Sequence, residues 1–178
     1  MRALVVFESM FGNTETIARA VAEGLAGSMG VEVVEVGAAP TAIAGDVDVL
    51  VVGGPTHALG MSRASTREEA AKQSEHGLVS AGIGVREWLE AVERSARVPA
   101  AAFDTRVAKP RVPGSAAKAA ARRLRRLGFP EAARAESFWV GGTPGPLLEG
   151  EVERARRWGE GLAAAVAETS RGREAART

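Results

Sequence analysis

A chain of 178 residues with 46% hydrophobic and 25% charged side chains can bury its own core as one domain and is unlike a disordered chain. It has no cysteine, which excludes disulfides, thiolate chemistry, cysteine-ligated zinc and iron–sulfur clusters. A formal net charge of +1 gives no support to nucleic-acid binding, and with two histidines and no tyrosine any redox chemistry must come from a bound cofactor.

The apolar pattern divides the chain. Residues 3–7, Ala-Leu-Val-Val-Phe, form the first predicted strand, a run too short for a signal peptide. Ile17, Val21 and Leu25 follow at one-turn spacing and predict a helix. Residues 31–36 make the second strand, and the link 37–46 has room for about two turns of helix before a third strand at 47–52. A long polar stretch, 63–82, comes next; its part 66–74 reads as helical and the whole as a lid or partner surface. Val85, Trp88, Leu89 and Val92 form a second helical stripe. Residues 98–103 follow as a fourth strand, and Ala117, Ala120, Ala121, Leu124 and Leu127 as a third stripe that stops at Gly128. A more mixed fifth strand at 135–140 leads to the last stripe, Val152, Ala155, Gly159, Leu162 and Val166. The tail from residue 168 is polar and expected to fray as a disordered end, leaving one domain over 1–167.

Strands rich in Val and small residues, alternating with amphipathic helices, predict an α/β fold: a doubly wound, five-stranded parallel sheet with helices on both faces. No stretch approaches the roughly 20 apolar residues of a membrane helix, so no membrane span and a cytoplasmic location are expected.

Ligands of open α/β sheets bind beyond the carboxyl ends of the strands, so the segments after the first, third and fourth strands are candidate site loops. The first, Ser9-Met10-Phe11-Gly12-Asn13-Thr14, opens a helix whose unpaired N–H groups suit a phosphate. Ser9 and Thr14 add hydroxyls, Asn13 offers a cap or its amide, and Gly12 frees the backbone to curl towards a ligand. The Gly-Lys-Ser/Thr ending of a Walker loop is missing, as is G-x-G-x-x-G; an ordinary strand–helix turn with an Asn cap is the competing reading. The second segment, Gly53-Gly54-Pro55-Thr56-His57-Ala58-Leu59-Gly60-Met61-Ser62, holds His57 as its titratable group near neutral pH.

The third runs from Asp104 and Thr105 to Ser115, a helix cap, and is basic through Arg106, Lys109 and Arg111. That charge reads either as solvated side chains or as attraction for an anionic substrate, a nicotinamide phosphate or an acidic partner. The run Arg122-Arg123-Leu124-Arg125-Arg126 reads as a solvated helix face, and Trp88, Trp139 and Trp158 as core or edge packing. There is no G-x-S-x-G elbow and no His pair on a helix, so neither a catalytic residue nor a metal ligand is assigned.

The stretch Ala3-Leu4-Val5-Val6-Phe7-Glu8-Ser9-Met10-Phe11-Gly12-Asn13-Thr14-Glu15-Thr16-Ile17-Ala18 resembles the opening of a flavodoxin, and the spacing of elements extends the resemblance over about residues 2–167. The resemblance implies the strand order 2-1-3-4-5, with FMN at the switch point. It implies that Ser9, Met10, Phe11, Gly12, Asn13 and Thr14 grip the FMN phosphate. Pro55, Thr56, His57, Ala58, Leu59 and Gly60 would then line the isoalloxazine ring, with Leu59 or Met61 as apolar cover, and Asp104, Thr105 and Arg106 would meet its pyrimidine end. The chain departs from typical flavodoxins in being near neutral rather than strongly acidic, and in having no tyrosine and no aromatic in its second and third loops. Gly-Pro-Thr-His and the Ala-, Arg- and Gly-heavy composition bring it nearer to diverged flavodoxin-domain proteins of high-GC bacteria.

The implied function is electron transfer by bound FMN, to or from a redox partner protein or a small-molecule acceptor such as a quinone, with a homodimer as an allowed assembly. Two alternatives stay open. One is an FMN-dependent NAD(P)H:quinone or protoporphyrinogen-type oxidoreductase walled by the long second loop and the basic third loop. The other is a non-redox binding domain that has lost FMN.

Overall fold

Alternation along each buried strand sorts its side chains onto two faces of one sheet. The computed structural model describes residues 1–57, 59–95, 97–110 and 113–175, and both faces of its sheet are covered. The strands are β1 (Arg2–Phe7), β2 (Gly30–Glu35), β3 (Val49–His57), β4 (Gly60–Met61), β5 (Ala100–Val107) and β6 (Glu136–Val140). Five of them run parallel in the order β2-β1-β3-β5-β6, which is the expected 2-1-3-4-5 when parallel strands alone are counted. The two-residue β4 is antiparallel to the end of β3.

The helices are α1 (Asn13–Ala26), α2 (Ala64–Lys72), α3 (Val85–Ala91), α4 (Ala116–Arg126) and α5 (Glu151–Ala175). Val5, Phe7, Val51, Phe103 and Phe138 meet α1 and α5 on one face, whereas Leu4, Val6, Leu50, Val52 and Ala102 meet α3 and α4 on the other. None of the helices in the described residues is long and apolar enough to cross a membrane.

The strand ends differ from expectation where tertiary pairing overrides local signals. Gly53-Gly54-Pro55 reads as a turn, yet β3 continues through it to His57, with Gly53 opposite Phe103, Gly54 opposite Asp104 and Pro55 opposite Thr105. Gly53 is small because of a ring, not a turn: a Cβ there would lie 2.0 Å from Phe103 Cζ. The second loop is therefore a hairpin, with Thr56 opposite Met61 and His57 opposite Gly60. Likewise β5 extends to Val107, so Asp104, Thr105 and Arg106 are strand residues rather than loop residues.

The link 37–46 holds the end of a 3-10 turn, Val36–Ala38, instead of an α-helix, and α2 begins two residues before the expected helix. Residues 168–175, read as the start of a frayed tail, continue α5, because Glu168, Arg171 and Ala175 favour helix beyond the last buried position, Val166. Residues 176–178 lie outside the described residues. Val152, expected on the buried stripe, is 45% exposed. Glu151 takes that place and accepts the Trp139 N–H at 2.8 Å.

Two glycines set the crossing of α1 and α5. A Cβ on Gly24 would lie 2.0 Å from the Arg156 carbonyl oxygen, and one on Gly159 would lie 2.3 Å from that of Val21. Backbone thus packs on backbone. Gly159→Ala should lower stability by about 1–3 kcal/mol through overpacking. Gly161→Ala, in open space two residues further along the same helix, should raise it by about 0.5–1 kcal/mol. Paired urea melts read both changes.

Candidate functional site

The carboxyl ends of β1, β3, β5 and β6 open on one cavity of about 220 Å³. Ser9, Met10, Phe11, Asn13 and Thr14 line it from the β1–α1 loop, Pro55, Thr56 and His57 from the end of β3, and Thr105 and Arg106 from β5. Val107, Val140 and Thr143 also line it, and the sequence reading did not assign them. Val140 and Thr143 reach the site because β6 is the parallel neighbour of β5, a long-range pairing with no local signature.

Gly12 is the N-cap of α1 and turns the chain with a left-handed φ of 90°, which a side chain would strain. No side chain caps the helix. Asn13, the cap of the competing reading, instead donates its amide to the Pro144 carbonyl at 3.1 Å and so pins the loop after β6 to the start of α1. The Ser9 hydroxyl accepts the Gly12 N–H at 3.1 Å, which closes the loop on itself. Thr14 Oγ1 and Thr105 Oγ1 are 2.7 Å apart. One hydroxyl hydrogen is used between them, and the other can be donated into the cavity.

Part of the long polar stretch braces this loop. The Ser80 N–H donates to the Ser9 carbonyl at 2.8 Å, the Ser9 N–H donates to Ser80 Oγ at 3.0 Å, and the Val79 N–H donates to the Met10 carbonyl at 3.1 Å.

Asp104 does not line the cavity. It is wholly buried, and its Oδ2 accepts the Thr56 hydroxyl at 2.8 Å, the Ser115 hydroxyl at 2.6 Å and the Ala117 N–H at 3.0 Å. The Ala116 N–H donates back to Thr56 Oγ1 at 2.8 Å. Asp104 therefore caps α4 and ties the second loop to the third. Leu59 lines a separate groove, Gly60 belongs to β4, and Met61 packs against the α3–α4 core, so neither Leu59 nor Met61 covers the cavity. Ala58 and Arg111 lie outside the described residues.

Glu8, the residue before the first loop, is buried and was passed over in the sequence because a Glu leaving a strand carries no motif. Its carboxylate accepts the Val85 N–H at 2.8 Å and the Ser62 hydroxyl. Arg67 donates to Ser62 Oγ at 2.9 Å and pairs with Glu87 at 3.1 Å. Burial pushes the Glu8 pKa up, against the opposing pull of Ser62, the Val85 N–H and the Arg67 charge. His57 moves the other way: burial, helped by the Arg67 charge, holds its imidazole below the usual 6.5, so it is neutral at pH 7.

No protein-family model matches the sequence, and no curated protein matches it. Solved structures do. A flavodoxin from the domain Archaea superposes with a TM-score of 0.61 at 18% identity, covering 94% of this chain and 99% of that one. The flavodoxin of Streptococcus pneumonia TIGR4 gives 0.65 at 19% identity over 92% and 99%. The Flv1 flavodiiron core from Synechocystis sp. PCC6803 gives 0.63 at 15%, over 95% of this chain and 36% of that one. The chain has a flavodoxin-like fold. In this flavodoxin-like sheet the cavity stands at the switch point, where β1 and β3 are neighbours whose onward connections leave in opposite directions.

Unfolded, Glu8 titrates near its ordinary 4.5; folded, it keeps its proton to higher pH. The folded state therefore binds more protons, and its stability falls as pH rises from that value through the folded pKa. Urea melts between about pH 5 and 8 should find wild type losing stability relative to Glu8→Gln as pH rises, with the gap narrowest at the acid end.

Proposed function

We propose that the protein binds FMN in the switch-point cavity and serves as an electron carrier. The observation that carries this reading is the α1 N-terminus, free of a side-chain cap, meeting the Thr14–Thr105 hydroxyl pair in one cavity of a flavodoxin-like sheet. A phosphate suits such neutral donors, because helix N–H groups and hydroxyls can satisfy its oxygens without a lysine or arginine. Residues 9–14 contain neither. Nothing lies within 4 Å of the position a Cβ on Gly12 would take, so the backbone is open to a close ligand there.

The residues of the cavity fit FMN at its phosphate end by this chemistry, and Ser9, Gly12, Asn13, Thr14 and Thr105 would hold that end. When bound, FMN supplies the one- and two-electron chemistry that a chain without cysteine lacks. At the other end Arg106 lines the cavity with its guanidinium 5.4 Å from the centroid of the Trp139 ring, a fixed positive charge that favours negative charge beside it. The neutral His57 adds no competing charge. The structural neighbours named above support the same reading.

The purified protein should be yellow, with flavin absorbance released on denaturation; a colourless protein that leaves added FMN fluorescence unchanged would overturn the reading. Thr14→Ala should weaken FMN binding about 5- to 150-fold, the equivalent of about 1–3 kcal/mol for one phosphate hydrogen bond. Quenching of FMN fluorescence on titration measures it.

A further inference from the structure

Beside the cavity, and sharing Arg106 with it, runs a second groove of about 440 Å³. Leu59, Pro113 and Gly114 give it small and apolar walls; Arg106, Lys118 and Arg122 give it three cations. Several exposed cations of the fold pair with a nearby carboxylate: Arg19 with Glu15, Lys72 with Glu69, Arg125 with Glu131, and Arg156 with Glu153 and Glu160. Among the described residues, no ion pair or side-chain hydrogen bond is made by Lys118 or Arg122, and α4 contains no acidic residue.

Stability does not account for this arrangement. The Ser115 cap makes Lys118 the third residue of α4, where a cation opposes the positive end of the helix dipole. Arg122 stands one turn further along the same exposed face, at the spacing where like charges repel, and Arg126 continues the row. The opposite face of the helix, with Ala116, Ala117, Ala120 and Leu124, is buried. At the hairpin tip Leu59 is 54% exposed with a left-handed φ of 75°, presenting an apolar side chain beside the cations. An apolar centre rimmed by charge is the pattern of a protein interface.

We propose that this groove docks the acidic face of a partner protein and so brings that partner against the rim of the cofactor cavity at Arg106. Docking stands on the groove itself; its use for electron exchange rests on the FMN reading. The row from Lys118 to Arg126 is about 12 Å long, which spans an acidic surface rather than one small anion. A field of one sign at the rim also steers an oppositely charged protein to this edge and raises its association rate.

The test is an amide-resolved NMR titration of the 15N-labelled protein, with and without added FMN, using two haem proteins of opposite charge. Acidic cytochrome b5 should shift the amides of Leu59, Gly114, Ser115, Lys118 and Arg122, with an affinity that falls steeply with salt. Basic cytochrome c should leave them in place. The double variant Lys118→Glu/Arg122→Glu should bind cytochrome b5 at least tenfold more weakly and still take up FMN as wild type does; a Glu in the first turn of α4 suits the helix dipole, so the variant folds. The proposal is overturned if cytochrome b5 moves no groove amide, if the double variant binds it equally well, or if citrate saturates the groove and cytochrome b5 does not. Groove shifts in a protein that takes up no FMN would sink the flavin reading and leave docking standing. FMN uptake without groove shifts would do the reverse.

Discussion

Both faces of the five parallel strands are closed by helices, so a ligand meets this sheet at the ends of its strands, and the switch-point cavity opens at the carboxyl ends. That restriction decides what each loop can be for. The β1–α1 loop, the β3–β4 hairpin and the end of β5 are neighbours because β1, β3 and β5 are neighbours, although residues 9 and 105 are far apart in the chain. The Thr14–Thr105 contact is the direct product of that order. A sheet with a second strand besides β3 between β1 and β5 would give each hydroxyl a different partner, and the cavity would lose one wall.

An edge made of loops needs internal ties, and here most of them are buried polar groups. Asp104 gathers two hydroxyls and a helix N–H on one oxygen, and Glu8 gathers a hydroxyl and another helix N–H. Each buried carboxylate is costly unless its donors are in place, so each fixes the elements that supply them. Asp104 joins β5, the hairpin and α4. Glu8 joins β1, the residue after β4 and α3, and through Ser62 it engages Arg67 of α2. Asn13 and Ser80 complete the frame around the first loop from two further segments. The result is a site whose lining residues are held by residues that do not line it.

Much of this was legible in the sequence, for reasons that are local. The Val-rich runs and one-turn stripes gave the layers, because burial on a strand or a helix face repeats with a fixed period. The first loop was legible because glycine, hydroxyls and a helix start occur together within six residues. The extent of β3 was not, since Gly-Gly-Pro is turn chemistry and only Phe103, fifty positions away, explains Gly53. Asp104 was read as a ligand-facing residue because its position in the chain says which edge it occupies but not which face of β5 carries its side chain. Glu8, Val140 and Thr143 were missed for the same reason: their roles come from pairing with distant segments. Asn13 had two local readings, cap or donor, and a contact with Pro144 decided it.

The division of charge along the edge follows from how the first loop can grip an anion. Helix N–H groups and hydroxyls are short-range donors: they act over a hydrogen-bond length and project little field into solvent. A lysine in their place would bind phosphate as well, but its net charge would also attract any acidic surface to that end of the cavity. With residues 9–14 free of basic side chains, the positive side chains that line the cavity and the neighbouring groove stand on the opposite rim, at Arg106, Lys118 and Arg122. A near-neutral chain can thus present a signed patch, because cations such as Arg19, Arg125 and Arg156 are paired with carboxylates on their own helices or close by, whereas among the described residues Lys118 and Arg122 are not. Net charge describes the sum, whereas the arrangement of partners describes where the field emerges. On this fold it emerges beside the edge that carries the switch-point cavity.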